Sequence, residues 1–199
     1  RHLIFVQRLW QAGSGVVTLV LLTHYLDPIM QGWYYGFLSL GAFYVVFDHG
    51  LSQVLIQRAA HVLPEGNISC HNDRTQEEQK TLEQICSQSF RQYIKIALGF
   101  FVVISLFGIY FFTAVEAPMF VWKTPWILLI LVISLTLFLH PFLSIIEGGG
   151  QLKEVYRIRL LQSIIGSLLC WYALAEGLHL WATIALPAAT VVVQASWLW

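Results

Sequence analysis

Charged side chains are scarce in this sequence. Lys, Arg, Asp and Glu make up 11% of the 199 residues, whereas 57% are hydrophobic. A soluble domain carries roughly a quarter charged residues, so this deficit excludes an ordinary soluble domain and indicates an integral membrane protein. The formal net charge of +0 also argues against nucleic acid as a partner, because nucleic-acid-binding proteins carry an excess of basic side chains.

Cysteine pairs and the common catalytic motifs are missing as well. Cys70, Cys86 and Cys170 have no framework spacing, so we expect no structural disulfide and no metal site. The sequence has no nucleotide-binding glycine loop, no HExxH and no nucleophile elbow. We therefore expect a protein that is not an enzyme and holds no cofactor. Because the chain begins without methionine and ends inside an apolar run, we also expect a piece of a longer protein.

Long apolar runs, in contrast, are abundant. Each of six runs approaches or exceeds the roughly 20 residues that a helix needs to cross a bilayer. They comprise residues 3–26, 31–58, 93–115, 126–146, 158–175 and 178–199. The polar connection at 62–92 is expected to contain a helix that continues into the third run. These runs predict an all-α membrane protein with six transmembrane helices.

Lys and Arg are distributed unevenly between the two ends of these runs. With the N-terminus in the cytoplasm, ten of the eleven basic residues fall on the inner side and only Lys123 falls outside. Basic residues concentrate on the cytoplasmic side of membrane proteins. The sequence therefore predicts a cytoplasmic N-terminus and a cytoplasmic connection at 62–92.

Five of the six runs carry polar residues at helical spacing. Lipid offers such side chains no hydrogen-bond partners, so a polar face needs another helix or a water-filled space. Because the loop between the first two runs is short, we expect those two helices to be antiparallel neighbours whose polar faces share one space. The pattern predicts a cavity, and hence transport. The candidate cavity residues are Arg8, Gln11, Thr18, Tyr35, Ser39, Asp48, His49, Gln53, Gln162, Thr190 and Gln194.

Two of these candidates allow more than one interpretation. Asp48 and His49 form a carboxylate–imidazole pair that could carry protons or bind a cation. Asp48, however, is expected in the inner third of the membrane core, next to a bend at Gly50. A structural polar contact near the bend is therefore favoured over a coupling site. Arg8 borders the polar face of the first run at its cytoplasmic end, where it could meet an anionic headgroup.

The order of several motifs resembles a known family. Leu26-Asp27-Pro28, then Gly32-Trp33-Tyr34-Tyr35, Ser39-Leu40 and residues 48–55 resemble the second-helix region of polysaccharide-export flippases. These belong to the multidrug/oligosaccharidyl-lipid/polysaccharide exporter superfamily. Residues 146–153, with three successive glycines, resemble the glycine-containing turn between that family's fourth and fifth helices.

The resemblance implies an N-terminal lobe that faces a second lobe across a cavity. Members of the family flip lipid-linked oligosaccharide or polysaccharide precursors across the bacterial inner membrane by alternating access. The implied partners are membrane lipid, a polyprenyl-diphosphate-linked glycan and a C-terminal lobe of the same chain. Drug-exporting relatives often carry an acidic residue within the first helix, whereas Asp27 lies only at its outer end. This departure favours a saccharide-lipid substrate and leaves the coupling ion unidentified.

Other functions remain open at this point. One is a multidrug/cation antiporter of the same superfamily. Another is a membrane-embedded glycan polymerase or transferase, although such enzymes usually need a large extramembrane loop or several acidic residues, and Asp48 lacks companion aspartates. A purely structural subunit is a further alternative, which the several polar faces make less favourable.

Overall fold

The computed structural model describes residues 2–62, 76–114 and 122–198, and all the regular secondary structure in these ranges is helical. A short 3₁₀ helix, His179–Ile184, precedes the last α-helix. The α-helices are α1 His2–Tyr25, α2 Pro28–Gly41, α3 Tyr44–Asp48, α4 Leu51–Val62, α5 Gln76–Ala114, α6 Lys123–Gly148, α7 Leu152–Ala175 and α8 Ala185–Leu198.

The helices coincide with the apolar runs of the sequence. Five segments in the described ranges are long and apolar enough to cross a membrane, and a sixth is added if the bent pair α2–α3 and α4 is one span. The prediction of an all-α protein whose helices are long and apolar enough to span a membrane is thereby confirmed. The predicted connection at 62–92 falls partly at 63–75, outside the described residues. Its remainder forms the first turns of α5, which continues unbroken into the third span as expected.

The second span is broken where the sequence predicted a bend. His49 and Gly50 both have left-handed backbone conformations, with φ of 46° and 71°, and a helix cannot continue through two such residues. The axes on either side differ by 42°. Asp48, at the end of α3, is buried and accepts hydrogen bonds from Ser52 and from Tyr93 Oη at 2.8 Å. The carboxylate therefore links the bend to α5.

Helix α6 lies at the centre of the bundle and contacts α4, α5 and α8. Its first half joins an aromatic cluster in which Trp126 lies against Phe37 and Phe112, with ring centroids 5.0 and 5.2 Å apart. At its other end, a Cβ at Gly148 would lie 2.5 Å from the Ile56 carbonyl oxygen. Glycine at this position therefore allows α4 to approach α6 closely.

Helix α1 packs along α7 and contacts α2 only slightly. The Trp171 indole donates a hydrogen bond to Thr18 Oγ1 at 2.9 Å, and the Trp10 ring lies beside the same indole. The expectation that the first two helices are close neighbours with polar faces on one shared space was wrong. Helix α1 instead contacts α7, where Trp171 meets both Thr18 and Trp10.

Candidate functional site

A polar chamber of about 280 Å³ lies between the second span and helices α6, α7 and α8. One buried water needs only about 10–15 Å³, whereas small-molecule pockets have volumes of roughly 300–1,000 Å³. The chamber is thus large enough for a small polar group. It is lined by Tyr44, Ser52, Gln53, Ile56, Thr136, His140, Leu143, Ser144, Arg159, Gln162, Thr190 and Gln194.

Four candidates from the sequence line this chamber together. Gln53 comes from α4, Gln162 from α7, and Thr190 and Gln194 from α8. Helical spacing placed each of them on a polar face, and the packing of α4, α7 and α8 around α6 brings these faces together.

Two of these glutamines are buried without a complete set of hydrogen bonds. The exposed fraction is 7% for Gln162 and 6% for Gln194. Gln162 Nε2 and Gln194 Oε1 have no hydrogen-bond partner within residues 2–62, 76–114 and 122–198, and the same holds for His140 Nδ1. A buried polar atom left without a partner costs about 1–3 kcal/mol. These atoms therefore require a polar partner inside the chamber.

Three hydroxyl groups of the chamber are already committed as donors. Thr136 Oγ1 donates to the Val132 carbonyl at 3.0 Å, and Ser144 Oγ donates to the His140 carbonyl at 3.1 Å. Thr190 Oγ1 donates to its own helix in the same way. A hydroxyl oxygen has one proton and two lone pairs, so these three groups face the chamber as acceptors.

Arg159 is the one permanently charged side chain in the chamber lining that the structure describes. Its guanidinium donates to Glu147 Oε2 at 2.7 Å, and the exposed fractions of the two side chains are 36% and 16%. The pair connects the end of α6 to α7. Its positive charge is thereby compensated within the protein.

An apolar groove of about 260 Å³ adjoins the polar chamber. The two spaces share Tyr44, Thr136 and Thr190, so they meet at the middle of α6 and α8. The groove lies along the first half of α6 and the chamber along its second half. The rest of the groove lining is Leu38, Gly41, Ala42, Leu129, Ile133, Leu186 and Pro187. Together they form one amphipathic passage.

The candidates on α1 and on α2 lie outside the chamber. Arg8 and Gln11 are exposed on α1, and Tyr35 and Ser39 are exposed on α2. Thr18 is bonded to Trp171. Helix α1 occupies the far side of α7, which separates its polar residues from the chamber.

Asp48 and His49 also lie outside the chamber. Asp48 is bonded to Tyr93 and Ser52, and His49 is exposed, with Nδ1 2.8 Å from the Phe47 carbonyl oxygen. The prediction that placed them in one cavity with Gln53 rested on the spacing of a continuous helix. The break at His49 and Gly50 bends the axis by 42° and interrupts that spacing.

The candidate list omitted several lining residues. Thr136, His140 and Ser144 recur every four residues on α6, a spacing that places them on one helical face. That signal was present in the sequence. No such signal marked Arg159 in the sequence, because its place in the chamber depends on the packing of α7 against α6.

The described ranges contain no group of three His, Cys, Asp or Glu side chains that could hold a metal ion. No protein-family model, curated protein or solved structure matches this chain. The resemblance to polysaccharide-export flippases therefore remains a prediction.

Proposed function

We propose that this chain forms one lobe of a transporter that flips a lipid-linked oligosaccharide or polysaccharide precursor across the bacterial inner membrane by alternating access. The observation that carries the proposal is the polar chamber, which lies between apolar helices and contains buried amide atoms that have no partner among the described residues. The implied second lobe would close the passage from the other side.

A space of this kind favours transport over a purely structural role. Polar groups among membrane-spanning helices are costly and tend to mark substrate pathways. A structural bundle would pair Gln162 and Gln194 with neighbouring helices, or would have apolar residues at these positions. Here both amides are directed at a space large enough for a small polar group.

The two parts of the passage suit an amphipathic cargo. A lipid-linked saccharide has a hydroxyl-rich head and a long apolar chain. The polar chamber and the adjoining apolar groove offer complementary surfaces to the two parts of such a molecule.

The proposed orientation agrees with the direction of transport. With the N-terminus in the cytoplasm, α6 runs from outside to inside, and its second half lies in the cytoplasmic half of the membrane. The polar chamber lies along that half. A precursor made on the cytoplasmic side would thus meet the polar chamber first.

The acidic residues argue against the alternative of a cation-coupled drug antiporter. Glu147 is paired with Arg159, and Asp48 lies outside the chamber with Tyr93 and Ser52 as partners. A coupling cation would have to compete with these contacts. The arrangement favours the saccharide-lipid cargo.

Deletion of the gene tests the proposal. We expect lipid-linked glycan to accumulate on the cytoplasmic leaflet while its synthesis continues, because the carrier is loaded but not flipped. The wild-type gene should restore its export. Normal surface polysaccharide in a deletion strain with no redundant exporter would contradict the proposal. Increased drug sensitivity in that strain would favour the antiporter.

A further inference from the structure

The hydrogen-bonding groups of the polar chamber distinguish between the parts of a lipid-linked saccharide. Gln162 and Gln194 each carry an amide, which offers both donors and an acceptor however the group is rotated. Each has an atom without a partner in the part of the chain that the structure describes. A ligand that satisfies both amides must therefore be able to donate and to accept.

A diphosphate meets these requirements poorly. Ionised phosphate oxygens act as acceptors and are bound by arginine, lysine or backbone N–H groups. The charge of Arg159, the one permanently charged residue in the described lining, is compensated by Glu147 at 2.7 Å. Thr136, Ser144 and Thr190 donate to carbonyls of their own helices, so their free lone pairs would face the phosphate oxygens.

A sugar hydroxyl meets the same requirements well, because it donates one hydrogen bond and accepts others. Its proton can go to a glutamine carbonyl or to a threonine or serine oxygen, and its lone pairs can accept from a glutamine amide. The chamber volume of about 280 Å³ lies at the low end of small-molecule pockets. It suits a single sugar unit rather than a complete oligosaccharide.

We propose that the polar chamber binds one uncharged, hydroxyl-rich sugar unit through Gln162 and Gln194, and that the diphosphate stays outside it. This inference rests on the proposed function in one respect, namely that the sugar unit belongs to a lipid-linked saccharide. The sugar specificity itself rests on the donors and acceptors of the chamber.

Binding of simple probes to the full-length protein in lipid nanodiscs tests this inference. The neutral probe is octyl β-glucoside, the anionic probe is octyl phosphate and the apolar control is octanol. All three are titrated calorimetrically below their micelle-forming concentrations. We expect octyl β-glucoside to bind about tenfold more tightly than either of the others. Tighter binding of octyl phosphate, or equal binding of all three, would overturn the inference.

Variants identify the groups responsible. The double variant Gln162→Leu with Gln194→Leu should weaken octyl β-glucoside binding about tenfold or more. Gln92→Leu, which changes an exposed glutamine on α5, should leave binding unchanged. Unchanged glucoside binding in a folded double variant contradicts the inference. The wild-type preference among the probes needs no variant, so the test holds even if the double variant fails to fold.

The outcomes separate this inference from the proposed function. Glutamine-dependent glucoside binding, together with normal surface polysaccharide in the deletion strain, would retain the sugar site and reject the flippase. Accumulation of lipid-linked glycan in that strain, without preferential glucoside binding, would retain the flippase and reject the sugar site.

Discussion

Gln162 and Gln194 are difficult to explain by folding alone. Both are more than nine-tenths buried among membrane-spanning helices, yet each keeps a polar atom without a protein partner in the described residues. An apolar side chain of similar shape would avoid the cost of about 1–3 kcal/mol per unpaired atom. We attribute their presence to a ligand. Replacing them should then raise the stability of the ligand-free protein but impair transport.

Replacement of Gln162 with leucine should therefore stabilise the ligand-free protein while it impairs export. We expect a gain of about 1 kcal/mol, because a buried amide without a full set of partners is removed and its shape is nearly kept. Thermal unfolding of the purified protein measures the first effect and surface polysaccharide the second. Gln92→Leu, at an exposed position on α5, is the matched control. A lower melting temperature for Gln162→Leu would indicate a structural role instead.

Tyr93 should stabilise the bend of the second span through its hydroxyl. The side chain is 1% exposed and donates to the buried Asp48 carboxylate at 2.8 Å. Tyr93→Phe should lower the free energy of unfolding by about 1.5–3 kcal/mol, the range for a hydrogen bond to a charged group. Tyr110→Phe makes the same change on the same helix at a side chain that is 76% exposed, and should have little effect. Equal effects of the two changes would disprove the role of this hydrogen bond.

At the level of the helices, the break at His49 and Gly50 bends the second span by 42° beside the chamber. Gly50 has φ of 71°, and a Cβ added there would meet no atom within 4 Å. Glycine is therefore required at this position because of the backbone conformation, and not because a side chain would clash with a neighbour. L-residues in this region cost roughly 1–2 kcal/mol.

Two glycine substitutions test this explanation of the break. Gly50→Ala should destabilise the protein by about 1–2 kcal/mol. Gly99→Ala, in the middle of α5 and also with free space around the new Cβ, should instead be stabilising by about 0.5–1 kcal/mol. The free energy of unfolding measures both. The same sign for both substitutions would mean that the left-handed conformation at Gly50 is not what the fold requires.

The sequence predicted the helices and the bend more successfully than it predicted the site. Apolar runs and a glycine after Asp48-His49 are local signals, and both were confirmed. Membership of the chamber depends on which helices pack together. Thr18 was predicted to line the cavity but does not, because its hydroxyl contacts Trp171 where α1 packs on α7. Arg159 was not predicted to line the cavity but does, because α7 packs beside Glu147 on α6.

At the level of the whole molecule, the proposed orientation fixes the side from which cargo enters. Single cysteines test it in a protein whose native cysteines have been replaced. Ser87→Cys, at an exposed position on α5, should react with a membrane-impermeant thiol reagent only after permeabilisation of the cells. Glu176→Cys, exposed between α7 and the 3₁₀ helix, should react in intact cells. The reverse pattern would place the N-terminus outside.

The central claim is that a lipid-linked saccharide crosses the membrane through the polar chamber. The most direct test uses lipid-linked glycan extracted from the deletion strain and reconstituted into vesicles with the full-length protein. Periodate that cannot enter the vesicles measures how much glycan reaches the outer leaflet. With the wild-type protein or with Gln92→Leu, the glycan of the inner leaflet should also become accessible. With the double variant Gln162→Leu and Gln194→Leu, it should stay protected as in protein-free vesicles. Equal protection with and without the wild-type protein, or equal accessibility with the wild-type protein and the double variant, would contradict the account.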